Sequence, residues 1–145
     1  MDRNGVIFVK PKPGSEEMRG QVLMRVKSRK PFDLFPDEIV VDRHKVTLIR
    51  RPFFWAERIV SLAFEDISNV TIDHGIMFAS LEIAHKIFGM PPLMVQYLDR
   101  TEANLVKRLL LGIIIAKKEG NKELFNLDRK ELIEQAQQVG KGHSQ

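Results

Sequence analysis

The sequence contains no cysteine. That absence removes disulfides, cysteine-ligated zinc, iron–sulfur clusters and thiol catalysis together, and it fits a reducing compartment such as the cytoplasm. Long apolar runs are missing as well. The longest, Leu109 to Ala116, is far short of the roughly 20 residues a membrane span needs and reads as a buried helix. Val6–Val9 is too short for the hydrophobic part of a signal peptide, so no targeting segment is expected. His44, His74, His85 and His143 show neither HxH nor HxxxH spacing, and a metal site is not expected. No Ser lies in a G-x-S-x-G turn. Gly140-Lys141-Gly142 lacks the upstream glycine and the strand of a phosphate loop. The adjacent acids Asp37-Glu38 and Glu65-Asp66 point to opposite faces if they lie in strands, which makes them poor acid–base partners. The expectation is a protein that is not an enzyme and needs no cofactor.

The 145 residues carry 23 Lys/Arg against 19 Asp/Glu, a net charge of +4. Residues 1–36 hold eight of the bases and four of the acids; residues 37–145 balance at fifteen each. The excess charge is thus assigned to a basic N-terminal arm, residues 1–36, punctuated by Pro11, Pro13, Pro31 and Pro36. Val6–Val9 is a candidate strand, and Gln21–Lys27 a candidate strand or helix. Arg19, Arg25, Lys27, Arg29 and Lys30 form a stretch without an acid, suited to an anionic lipid surface. The stretch contains no aromatic residue for base stacking, so nucleic acid ranks well behind lipid. The alternative is an arm whose apolar side packs on its own domain.

From Asp37 the pattern is β. Ile39-Val40-Val41 and Val46–Arg51 read as a hairpin around Asp42-Arg43-His44-Lys45, with Pro52 ending the second strand. Ile59–Phe64, Ile67–Ile72, Met77–Ala84 and Leu93–Leu98 continue the series, with a turn at His74-Gly75. Thr101 is read as the cap of a helix that stops at Gly120. Asp128-Arg129-Lys130-Glu131 has the pattern of a capping box for a second helix ending at Gly140, followed by a disordered tail. Residues 37–120 therefore form the domain, and 121–145 an amphipathic helix and tail. Phe53-Phe54-Trp55 is read as an apolar anchor at a sheet corner, or else an exposed partner contact.

Phe64-Glu65-Asp66-Ile67-Ser68-Asn69-Val70, the turn at Gly75 and Ala79-Ser80-Leu81-Glu82-Ile83 resemble a segment of bacterial pleckstrin-homology-like (PH-like) domains. In those domains an x-D-I-x-x-V step leads through a glycine turn into a G/S-x-L-x-I strand. The resemblance covers about Pro31–Gly120. It implies a mainly β fold with C-terminal helices: a bent antiparallel sheet or partly open barrel capped by an α-helix. It also implies a binding role, in a family of largely uncharacterised function. Inositide-binding relatives use a K-x(n)-[K/R]-x-R pattern on the first hairpin, which Arg43, Lys45, Arg50 and Arg51 do not reproduce.

On a helical wheel Leu105, Leu109, Gly112, Ile113 and Ala116 form the stripe expected to plug the sheet. Leu111, Ile114 and Ile115 fall on the far side and need a cover. The expected covers are the 128–139 helix, the arm or another copy of the chain. Homo-oligomerisation is favoured, because the resemblance includes relatives that assemble through such surfaces. The leading expectation is a self-associating protein-binding module in the cytoplasm. Peripheral attachment to the inner face of an anionic membrane is the alternative.

Overall fold

A computed structural model describes residues 22–29, 35–53 and 55–142, apart from the side chain of Phe53. The elements are β1 (Val22–Lys27), β2 (Glu38–Asp42), β3 (Lys45–Phe53), β4 (Ala56–Ala63), a 3-10 turn at Phe64–Asp66, β5 (Ile67–His74), β6 (Ala79–His85) and β7 (Leu93–Leu98). Three helices follow: α1 (Arg100–Lys118), α2 (Lys122–Asn126) and α3 (Arg129–Gly142). The strands form two antiparallel sheets, β1-β2-β3-β4 and β5-β6-β7. The protein is mainly β with C-terminal helices, as the sequence pattern implies.

The β2–β3 hairpin forms where a β-branched run meets a polar turn. Asp42 closes it, its Oδ1 accepting the amides of His44 at 2.7 Å and Lys45 at 2.8 Å. Ile39, Val41, Val46 and Leu48 then face inward by simple alternation and are buried. Pro52 does not end β3. The β3–β4 ladder shifts register between Arg50↔Arg58 and Phe53↔Ala56, and the proline occupies that irregularity, where no ladder donor is required. β5 and β6 also differ from expectation: β5 runs on to His74, and β6 starts at Ala79 rather than Met77.

β1 corrects the boundary drawn at residue 36. Val22–Lys27 pairs antiparallel with β2, so residues 22–29 belong to the folded body. Leu23 and Val26 enter the same core as the inner faces of both sheets. The opposite face of the first sheet carries a smaller cluster of Val40, Ile49 and Ile59. The expected Val6–Val9 strand lies outside the described residues.

α1 is capped by Asp99, not Thr101. Both are good caps, but the Asp99 carboxylate accepts two amides, Thr101 N and Glu102 N, each at 3.0 Å. Gly120, at φ 68°, stops the helix in the left-handed region as expected. Val106, Leu109, Leu110, Ile113 and Ala116 fill the core. Leu105 is only half-buried, and Gly112 serves a different contact. A Cβ at Gly112 would collide with the Ala136 carbonyl of α3, and one at Gly140 with the Arg108 carbonyl of α1. The two helices thus pack backbone against backbone. Gly140 is therefore a packing residue and no stop, and α3 continues through Lys141 and Gly142. Residues 143–145 lie outside the described residues.

The C-terminal helices are part of the body too. Leu124, Leu132 and Ala136 join the main core. Arg43, in the β2–β3 turn, donates to the carbonyls of Phe125 at 2.9 Å and Leu127 at 3.0 Å. Arg129 donates to those of Val22 at 2.8 Å and Leu23 at 3.0 Å. Within the described residues, strands and helices share one main core, and the divisions at 36/37 and 120/121 are not structural boundaries.

Candidate functional site

The β5–β6 turn is tight: Gly75 N donates to Phe78 O at 2.8 Å. The two residues between them are apolar and face solvent, Ile76 at 96% and Met77 at 68% exposure. Phe78 folds back and meets Tyr97 of β7 edge to face, with ring centroids 6.2 Å apart. Tyr97 has φ 57°, a left-handed conformation for a bulky residue. Such a conformation costs of order 1–3 kcal/mol and persists only where the surroundings enforce it. Here the β6–β7 ladder shifts register between Ala79 and Leu81, and the Tyr97 carbonyl accepts Arg29 N at 2.7 Å. An open cleft of about 450 Å³ lies between turn and tyrosine, with Asp73, His74, Ser80 and Gln96 supplying polar groups to its wall.

Sequence reasoning missed this site because Met77 was counted as the start of a strand, so its exposure was not anticipated. The available signal was two large aliphatic residues straight after the His74-Gly75 turn, out of step with the Ala79–Ile83 alternation. The strain at Tyr97 has no sequence signature.

The acid-free stretch is only partly what its composition suggested. Arg25, on the outer face of β1, pairs with Glu38, whose residue is 1% exposed. Arg51 approaches the same carboxylate at 3.6 Å. A buried carboxylate needs such partners, so Arg25 is not a spare surface cation. Arg29 pairs with Glu102 at 3.1 Å. Lys27 is exposed. Arg19 and Lys30 lie outside the described residues. The structure thus brings Arg25 and Lys27 onto β1 and ties Arg29 to β7 and α1.

Trp55 is 93% exposed in the β3–β4 turn, so it does not anchor a sheet corner. Phe54 and the side chain of Phe53 lie outside the described residues. Leu111, Ile114 and Ile115 are each half-buried. Leu111 and Ile114 pack against the main core, and α3 crosses α1 at Gly112. Part of the cover that these residues need is therefore supplied within the chain. Three of the four acids that the sequence singled out are engaged: Asp37 with Arg50 at 3.5 Å, Glu38 with Arg25 and Arg51, and Glu65 with Lys117 at 2.9 Å, while Asp66 is exposed. His85 Nε2 lies 2.9 Å from the Pro91 carbonyl. Among the described residues no three His, Asp or Glu side chains are grouped to hold a metal, and no helix is long and apolar enough to cross a membrane.

A scan against protein-family models finds no match to the chain, and a search of curated proteins finds none either.

Proposed function

We propose that the chain is a non-enzymatic assembly module, PH-like in fold, that docks a protein partner at the cleft between the β5–β6 turn and Tyr97. The four-plus-three strand order followed directly by α1 supports the PH-like reading. The observation that carries the binding role is the pairing of a strained, tied-down Tyr97 with the exposed Ile76 and Met77. Exposed apolar residues around a cleft with a few polar groups suit a partner's apolar side chain. The absence of cysteine supports placing this activity in the cytoplasm. Attachment to an anionic membrane through the basic N-terminal segment ranks behind, because Arg25 and Arg29 are held by Glu38 and Glu102.

Met77→p-benzoylphenylalanine, photolysed in living cells, tests the reading. One adduct of discrete mass is expected, and Ile76→Asp in the same chain should remove it. Ser68, exposed on β5, is the control position. Cross-linking from 77 no stronger or more discrete than from 68 would sink the proposal.

A further inference from the structure

The two sheets carry opposite charge. Among the described residues up to Ala63, which hold β1–β4, there are eight Lys/Arg and four Asp/Glu. Residues 64–99, which hold β5–β7, contain one lysine and five acids. The halves therefore stand at formal charges of +4 and −4. Each also carries exposed apolar side chains. On the basic sheet Trp55 stands out at the β3–β4 turn. The acidic half has Phe88, fully exposed between β6 and β7, and the cleft, with Ile76 and Met77 at its mouth and Asp73 in its wall.

The ladder beside Trp55 contains a second oddity. Arg50 and Arg58 are directly opposite each other, a like-charge cross-strand pair that is destabilising by itself. Arg50 is met by Asp37 and by the Met94 carbonyl. Arg58 is exposed and makes no ion pair among the described residues. An acid from outside the chain would relieve the repulsion. The basic sheet thus offers an exposed aromatic side chain at Trp55 and, three residues on in β4, the cation of Arg58, and the cleft offers an apolar recess with a carboxylate.

We infer that the partner is a second copy of this chain, bound head to tail, with Trp55 of one copy in the cleft of the next and Arg58 facing Asp73. This rests on the assembly reading above and names its partner. A second copy is favoured over a foreign protein because surfaces of opposite sign, one with an exposed aromatic side chain and one with a cleft, are already present on one molecule. The contact is heterologous, so each bound copy leaves one tryptophan and one cleft unused, and association proceeds to a ring or an open chain. Aromatic residues seated in pockets carry much of the binding energy in interfaces of this kind.

Light scattering on the purified full chain tests this, with Trp55→Glu and Met77→Asp as the two variants. Both positions are exposed, and a far-UV melt checks that each variant folds. Wild type is expected to exceed the monomer mass increasingly with concentration. Each variant alone should be a monomer. An equimolar mixture should give a dimer and nothing larger, because only one intact tryptophan and one intact cleft remain. Arg58→Asp should weaken association by about tenfold or more, and adding Asp73→Arg should restore it. A mixture that stays monomeric while wild type associates indicates a symmetric interface and overturns the inference. Association unaffected by either variant, or a charge exchange that fails to restore it, does the same. A wild-type monomer at hundreds of micromolar also overturns it. If the adduct from position 77 then proves to be another protein, the assembly reading survives; if no adduct forms, both fall. Trp55-dependent sedimentation of a monomeric wild type with phosphatidylserine vesicles would reassign the tryptophan to a membrane.

Discussion

Lys117 shows how much one side chain can connect. Its ammonium lies 2.9 Å from Glu65 Oε1, 5.7 Å from the centre of the Phe64 ring and 5.5 Å from that of Phe125. It therefore joins the β4–β5 connection, the end of α1, and α2 by one ion pair and two cation–π contacts. Its place in the last turn of α1 suits a base at a helix C-terminus and discloses nothing more, since Glu65 is 52 residues upstream and Phe125 8 downstream. The hydrogen bond from Lys117 holds the Glu65 carboxyl below the usual carboxylate range, with a backbone hydrogen bond adding to it. Because the folded-state pKa is the lower one, this stabilisation is present above the ordinary glutamate range and is lost as the pH falls through the folded-state value. Glu65→Gln should therefore flatten the acid side of a plot of thermal midpoint against pH, and Lys117→Met should flatten it similarly. The change is expected to be small, since Glu65 faces solvent. Acid limbs identical to wild type in both variants would show that the pair does not contribute.

The contact between α1 and α3 belongs to the scale of elements. Propensity alone favours Ala over Gly inside a helix by about 1 kcal/mol. Gly112→Ala and Gly140→Ala are nonetheless expected to lower stability by roughly 1–3 kcal/mol each, because the obstructing atoms are backbone carbonyls that cannot rotate away. Gly142→Ala, with nothing near the added methyl, should be neutral or stabilising. Urea midpoints for the three variants check this, and a gain at Gly112 or Gly140 would contradict the close packing. The sequence did not disclose this contact, because a glycine within an aliphatic run looks alike whether it faces a sheet or another helix. Elements whose signals were local were legible. The β2–β3 hairpin follows from alternation around Asp42, and β7 begins and ends where its apolar pattern does. β1 was obscure because its register shift between Val22 and Met24 breaks the alternation that would have marked it.

At the scale of the molecule, the informative cut in the charge distribution falls between β4 and β5. Dividing the sequence at residue 36 placed the excess charge in an arm and left the remainder neutral. That division hid the opposition between the sheets, because the break at Ala63–Phe64 has no proline or glycine to mark it. The same hidden continuity governs folding. A chain truncated after Gly120 loses Leu124, Leu132 and Ala136 from the core and the bonds from Arg43 and Arg129. It should show no cooperative thermal transition and a poorly dispersed amide spectrum. A sharp, two-state melt from residues 1–120 would show instead that the helices are an appendage.

The bonds from Arg129 to β1 also set a schedule for synthesis. Val22 and Leu23 lie on the outer strand of the first sheet, and the guanidinium that occupies their carbonyls is encoded more than a hundred residues later. At a ribosome speed of about 5–20 residues per second, the strand waits roughly 5–20 s for its cover. During that interval it is an open edge beside Leu23 and Val26, a template on which neighbouring nascent chains on one messenger can pair. The vulnerable period for this protein therefore closes only near the end of translation, and a slower ribosome lengthens it.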